Sequence, residues 1–185
     1  MDFLLSLDNG ILNAIQHLRC DFLDWFFPRF TILGNGGWFY ILVAALLLCF
    51  PKTRRAGHNA ALALIFCLLA GNLTLKPLIG RIRPHDANGF TQLLVPRLGD
   101  FSFPSGHTFG ATAVAVSLLF YHKKAGIVAC IFTALMAFSR LYLYVHYPSD
   151  VLGGILLGTA AAFLARYLLR RLYARKQQKT QKPTT

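Results

Sequence analysis

Residues 125–170 read AGIVACIFTALMAFSRLYLYVHYPSDVLGGILLGTAAAFLARYLLR, two long apolar runs that meet at a polar junction, Ser139 to Asp150. A helix that crosses a bilayer needs about 20 mostly apolar residues. The runs at about 125–143 and 149–170 have that length. The junction between them holds Arg140, His146 and Asp150, ionisable groups that are costly near a membrane and therefore mark a site.

Working outward, the same yardstick finds spans at about 58–77 and 105–121. A shorter run, GGWFYILVAALLLCF at 36–50, crosses with its flanks or with local thinning of the bilayer and counts as a fifth span. The segment 21–34, DFLDWFFPRFTILG, holds acids, a proline and an arginine, so it reads either as a short sixth crossing or as an interfacial helix. Between residues 3 and 18, Phe3, Leu4, Leu7, Ile11, Ala14, Ile15 and Leu18 recur at helical spacing around Asp8, Asn9, Asn13 and Gln16. That pattern predicts an amphipathic surface helix. The expected fold is all-α: a membrane-embedded helical bundle of about six transmembrane helices (five to six) forming a single domain, 1–185. It begins with the amphipathic N-terminal helix, 1–20, and ends in a flexible cytoplasmic tail, 174–185.

Composition agrees. Of 185 residues, 55% are hydrophobic and 14% charged, too apolar for an ordinary soluble domain. The net charge of +12 does not point to nucleic acid, because the cations sit in short loops beside apolar runs. Retention on the cytoplasmic face explains PKTRR (51–55), YHKK (121–124) and the tail from Arg166 to Lys182 together. Alternating spans then put 78–104 and 143–149 on the opposite, extracytoplasmic face. The N-terminus carries Asp2 and Asp8 where a secretory signal would carry cations, so no cleaved signal is expected. Cys20, Cys49, Cys67 and Cys130 are scattered, lack ligand spacing, and are expected to be inert buried thiols.

The outward face is itself rich in charge. KPLIGRIRPHD supplies Lys76, Arg81, Arg83, His85 and Asp86, which either snorkel to headgroups or form an anion site. PSGH, Pro104 to His107, opens the apolar run at 105–121. A helix N-terminus offers free N–H groups and a partial positive charge, Gly106 lets an anion approach the backbone, and Ser105 can add a hydroxyl, though an ordinary N-cap fits as well. His146 and Asp150 lie four apart across Pro148, so the carboxylate can orient the imidazole, or the pair can be a cap and an interfacial residue. Gly110, Ala111, Ala113 and Ala115 suit close helix packing, and Gly154 and Gly158 can pack within the chain or between chains. The chain contains no glutamate and no cluster of acids fit to hold Mg2+, so neither metal nor cofactor is expected.

With the three pieces side by side, the sequence resembles the type 2 phosphatidic acid phosphatase superfamily, whose pattern is Kx6RP, then PSGH, then SRx5Hx3D. Here these read KPLIGRIRP (Lys76 to Pro84), PSGH (Pro104 to His107) and SRLYLYVHYPSD (Ser139 to Asp150), without departure. The resemblance implies a lipid phosphatase with a phosphohistidine intermediate: His146 as nucleophile, Asp150 orienting it, and His107 as acid and then base. It implies that Lys76, Arg83 and Arg140 bind phosphate, completed by Ser105 and the Gly106 amide. Arg81, His85 and Arg97 fall outside the pattern, with headgroup contact as one role. The implied partners are the bilayer and a lipid phosphate or diphosphate. Undecaprenyl diphosphate in a bacterial cytoplasmic membrane is the first expectation, and phosphatidylglycerophosphate or phosphatidic acid the alternative. A headgroup-binding or transport protein would need neither a nucleophile nor an acid.

Overall fold

The computed structural model describes residues 2–180. Its helices run in chain order: α1 (Asp2–Gln16), α2 (Asp21–Thr31), a 3-10 segment (Ile32–Gly37) and α3 (Trp38–Cys49). Then come α4 (Arg54–Phe66), a π segment (Cys67–Leu75), α5 (Lys76–Ile79), α6 (Pro84–Ala87), α7 (Gly106–Leu119), α8 (Lys123–Tyr142) and α9 (Pro148–Thr180). No strand occurs among the described residues. Four stretches are long and apolar enough to cross a membrane, Asp21–Cys49, Arg54–Ala87, Lys123–Tyr142 and Pro148–Gln178, and α7 is a shorter apolar helix. Residues 21–34 add no separate span. They run on into α3 through a kink at Asn35–Gly37, where Gly36 and Gly37 take φ of 59° and 72°. Helix α9 continues to Thr180, through the greater part of the stretch read as a tail, and residues 181–185 lie outside the described residues.

Helix α7 is the axis of the bundle. It packs on α8, α9, α4 and α3, so it is buried around most of its circumference, which is why its sequence lacks an amphipathic rhythm. Small residues make the approach possible. A Cβ on Gly110 would lie 2.7 Å from the Tyr40 ring, one on Gly154 2.9 Å from the Ser105 carbonyl, and one on Gly158 2.7 Å from the Phe109 carbonyl. The Gly154 and Gly158 pair therefore packs within the chain, against α7. The π segment fits Gly71 against the Phe109 ring and ends at Lys76. A π turn adds a residue to the helical repeat and so re-aims the residues after it, a common device beside functional sites. Gly80, at φ 59°, then ends α5 and releases Arg81 and Arg83 from helical geometry.

Helix α1 is amphipathic as expected, and the structure shows which face meets the bundle. Asp8, Leu12 and Ile15 are buried, while Phe3, Leu4, Leu7 and Ile11 are exposed. The polar stripe docks on the bundle: Asn88 Nδ2 donates to Asn9, the Tyr144 hydroxyl to Asn13, and Gln16 Nε2 to the Tyr142 carbonyl. The apolar stripe is left for lipid. The cysteines also depart from expectation: Cys20, Cys49 and Cys130 are exposed on the bundle exterior and Cys67 is half-buried.

The connections sort to two ends. The α3–α4 and α7–α8 turns and the basic end of α9 share one, where Tyr173 meets His58. Segments 32–37, 80–105 and 143–147 share the other, called here the site end. A thermal midpoint in detergent tests the α7–α9 packing. Gly158→Ala should fall by the equivalent of about 1–3 kcal/mol, whereas Gly10→Ala, whose added Cβ meets nothing within 4 Å, should hold or rise. Equal midpoints would contradict this packing.

Candidate active site

The loop between α8 and α9 turns inward at Tyr144, a non-glycine residue at φ 57°. Such a conformation is strained and persists only where the surroundings fix it. Here the Tyr144 ring stacks on Phe90 at 4.2 Å, and its hydroxyl accepts from Asn88 and donates to Asn13. The turn points the Val145 carbonyl at Arg83 NH1, 2.6 Å away, and buries His146 to 2% exposure.

His146 has a different environment at each ring nitrogen. Nδ1 lies 3.6 Å from Asp150 Oδ2 and 3.5 Å from the Ser102 hydroxyl. Nε2 lies 3.2 Å from Arg83 NH1, which can only donate. The neutral tautomer that suits both sides carries its proton on Nδ1 and a lone pair on Nε2. Burial holds the imidazole well below its ordinary value. Arg83, Arg140 and Lys76 push the same way and Asp100 opposes them, so His146 is neutral at physiological pH and its Nε2 lone pair is available. Asp150 is fully buried. Its Oδ2 accepts from the Ser102 hydroxyl at 2.5 Å and from the Tyr147 N–H at 2.9 Å, and its Oδ1 accepts from Arg81 at 2.6 Å.

Beside Nε2 lies a concentration of positive charge. Arg83 is 3% exposed and donates from Nε to the Asp100 carbonyl at 2.8 Å and from NH2 to its carboxylate at 2.6 Å. Lys76 binds the other oxygen of the same carboxylate. Arg140 is 2% exposed; its NH1 donates to the Thr31 hydroxyl, its Nε has no partner, and it has no carboxylate in ion-pair contact among the described residues. A buried guanidinium without a counter-ion is costly. Burial pushes the Asp100 carboxyl up, but the hydrogen bonds and charges of Lys76 and Arg83 outweigh this and bring it down to about 2.

His107 lies in the first turn of α7, within the field of Arg140, His146 and Lys76. Its Nε2 is 3.1 Å from Asn35 Oδ1, and its carbonyl accepts from the Tyr40 hydroxyl at 3.0 Å. The 3-10 segment presses on the ring so closely that a Cβ on Gly34 would collide with it. This proximity requires glycine. Gly106 starts α7, and an added Cβ there would meet only Asn72 Oδ1, at 3.5 Å, so its face is open.

The structure thus brings Lys76, Arg83, Arg140, His146 and Asp150 into one constellation at the site end, with His107 in the same field. Ser105 stands apart from the expectation. It is fully buried, its hydroxyl pairs with Thr108 Oγ1 at 3.1 Å, and its N–H donates to the Asp150 carbonyl. Arg81 joins Asp150 rather than the other cations. His85, fully buried with neither ring nitrogen in hydrogen-bond geometry, and Arg97 gather on Asp86. Asp8, Thr31, Gly34, Asn35, Asp100 and Ser102 join the site without any motif to mark them. Their signal is spatial, because they arrive from α1, the α2–α3 region and the 88–105 loop. No group of three His, Cys, Asp or Glu side chains fit to hold a metal occurs among the described residues.

Comparison with known proteins completes the picture. A family model described as the PAP2 superfamily matches residues 59–174. Undecaprenyl-diphosphatase BcrC of Bacillus subtilis is 44% identical over 164 residues, covering 86% of this chain and 76% of its own length. An undecaprenyl-diphosphatase of Sulfolobus acidocaldarius is 36% identical over 127 residues, 68% of this chain but only 61% of that relative. The crystal structure of a transmembrane PAP2-type phosphatidylglycerolphosphate phosphatase from Bacillus subtilis superposes with a TM-score of 0.75 at 29% identity, covering 92% of this chain and 88% of that one.

The Asp100 ion pairs carry a pH signature. The carboxyl is ionised in the folded protein down to about pH 2, against an ordinary value of 3.8. Its contribution to stability is present above about pH 4 and is lost as the pH falls through about 2. The thermal midpoint of wild type should exceed that of Asp100→Asn by a constant gap from pH 7 to pH 5, narrowing below about pH 4. A gap unchanged down to pH 2 would contradict the assignment.

Proposed function

The chain belongs to the PAP2 superfamily, and on that premise we propose that it removes the terminal phosphate of a lipid diphosphate, with undecaprenyl diphosphate first, through a phosphohistidine on His146. The observation that carries this reading is an imbalance of charge around a neutral nucleophile. Arg83 lies beside His146 Nε2 with Arg140 and Lys76 in the same field, and the carboxylate of Asp100 is held between Lys76 and Arg83. A phosphoryl group presents more oxygens and more charge than a carboxylate, so it displaces Asp100 and gives Arg140 its counter-ion.

In the first step the Nε2 lone pair attacks the terminal phosphorus. The bond from phosphorus to the bridging oxygen breaks, and His107, which takes up a proton from solvent when the bound phosphate brings negative charge into its field, gives that proton to the oxygen, releasing lipid monophosphate. In the second step water attacks the phosphohistidine, His107 takes its proton, the nitrogen–phosphorus bond breaks, and inorganic phosphate leaves with His146 neutral again. Asp150 stabilises the positive charge that develops on the imidazole during attack. Lys76, Arg83, Arg140 and the Gly106 amide hold the equatorial oxygens, taking the part a metal has in other phosphoryl transfers. Ser105 acts through its helix-starting position.

The similarity to BcrC over most of the chain supports undecaprenyl diphosphate, and the likeness to the Bacillus subtilis phosphatidylglycerolphosphate phosphatase supports that phospholipid as the second reading. We place the site end on the extracytoplasmic face, because the basic loops and α9 terminus share the opposite end. Purified protein in detergent should release phosphate fastest from undecaprenyl diphosphate in a panel with phosphatidylglycerophosphate and phosphatidic acid, and EDTA should leave the rate unchanged. His146→Ala should lower kcat by on the order of 10³ or more. Preference for another lipid would move the substrate, chelator sensitivity would remove the metal-free step, and a His146→Ala enzyme near the wild-type rate would remove the nucleophile. A reporter fused after Lys182 should read cytoplasmic; an extracytoplasmic signal would invert the topology.

A further inference from the structure

Arg81 lies outside the residues that would touch phosphate, yet its guanidinium is held by several partners at once. NH1 donates to Asp150 Oδ1 at 2.6 Å and to the Ser149 hydroxyl at 2.6 Å, NH2 donates to Asp8 Oδ2 at 2.7 Å, and the group lies over the Tyr147 ring, 4.0 Å from its centroid. Asp8 is 2% exposed, on the first half of α1. Besides Arg81, it accepts from the Ser149 N–H at 2.9 Å and from the Ser149 hydroxyl at 2.5 Å. Ser149 is in the first turn of α9, so Asp8 also satisfies a free N–H at a helix start, where an anion is favoured. Leu12, one turn along α1, packs with Tyr144 and Tyr147 and sets the height at which Asp8 arrives.

The consequence concerns the two oxygens of Asp150. One is fixed by Arg81; the other receives Ser102 and the Tyr147 N–H and faces His146 Nδ1 at 3.6 Å. With Oδ1 tied down, the carboxylate cannot rotate to present a different edge to the imidazole. We infer that Asp8 and Arg81 are positioning residues of the phosphatase reaction, which clamp Asp150 so that it aims and stabilises His146, and that helix α1 is thereby part of the active centre. This rests on His146 being the nucleophile, as proposed above.

The charges make the inference testable in a way that a merely structural contact would not be. One guanidinium neutralises two buried carboxylates. Remove its charge and Asp8 and Asp150 remain buried without a shared counter-ion, a costly arrangement that disturbs Asp150 most where it is needed. Remove the charge of Asp8 as well and that repulsion disappears. The experiment is steady-state hydrolysis of the preferred lipid phosphate by purified wild type, Asp8→Asn, Arg81→Gln, the double variant and Arg81→Lys, with thermal midpoints recorded for each. Arg81→Gln should lose kcat on the order of 10-fold or more with KM little changed, since Arg81 touches no phosphate. The double variant should turn over faster than Arg81→Gln alone, and Arg81→Lys, which keeps the charge but cannot span both carboxylates, should fall between. A structural role alone would make the double variant the worst of the set. If Arg81→Gln does not fold, Asp8→Asn decides: a lowered kcat at constant KM supports the inference, and a wild-type kcat overturns it. With His146→Ala inactive, wild-type turnover in Arg81→Gln, or a double variant no faster than Arg81→Gln, overturns the inference and leaves the phosphatase reading standing. An active His146→Ala would instead overturn that reading.

Discussion

The Asp150 carboxylate is the constraint around which the site end is organised. A fully buried charge is tolerated only when hydrogen bonds and a counter-ion replace its water, and the partners here come from separate parts of the chain. Ser102 arrives from the loop before α7, Arg81 from the segment that Gly80 releases from α5, and the Tyr147 N–H from the turn into α9. Arg81 in turn draws in Asp8 and with it α1. Satisfying one carboxylate therefore fixes how four segments meet, and His146, four residues before Asp150, is set in place by the same contacts. Packing at the α7–α9 crossing supports this arrangement, because Gly154 lets the start of α9 lie against the Ser105 carbonyl while the Ser105 N–H bonds the Asp150 carbonyl.

On the other side of His146 the logic reverses, and cations exceed anions. Lys76 and Arg83 share Asp100, whereas Arg140 is buried with only a threonine hydroxyl for company. Two opposite electrostatic environments thus flank one imidazole. The anionic side faces the Nδ1 proton, with Asp150 Oδ2 at 3.6 Å, and the cationic side keeps the ring neutral and is fit to collect an oxyanion against the lone pair of Nε2. Neither half suffices alone: a carboxylate without cations would leave phosphate unbound, and cations without the carboxylate would leave the imidazolium that forms on attack unsupported.

Much of this was legible in the sequence because the signals are local. Apolar runs of membrane length marked the spans, and Lys76, Arg83, Arg140, His146 and Asp150 stood out as charges on the face that the basic loops avoid. Helical spacing showed that residues 3–18 form a two-faced helix, but periodicity does not say which face meets protein. In a bilayer the apolar face can look outward, and here the polar face carries Asp8 inward. Ser105 illustrates a different limit. Its place before a helix suggested a hydroxyl aimed at a ligand, yet Thr108, three residues on, takes that hydroxyl, and the alternative to which a side chain turns is decided by packing. Asp100 and Ser102 sit in a loop without periodicity, and Gly34 is recognisable only once the His107 ring lies against it.

The central claim is that phosphorus is transferred to His146 while Asp150 supports the imidazole. Its most direct test is to mix enzyme with a lipid diphosphate, quench in base within the first turnover, digest, and map the phosphoryl group by mass spectrometry. A base-stable, acid-labile phosphoryl group on the peptide carrying His146, absent from His146→Ala and accumulating when His107 is replaced by Gln if that variant still completes the first step, is the result expected. Full turnover with no phosphoryl group on His146, or with the group on another residue, would contradict the account.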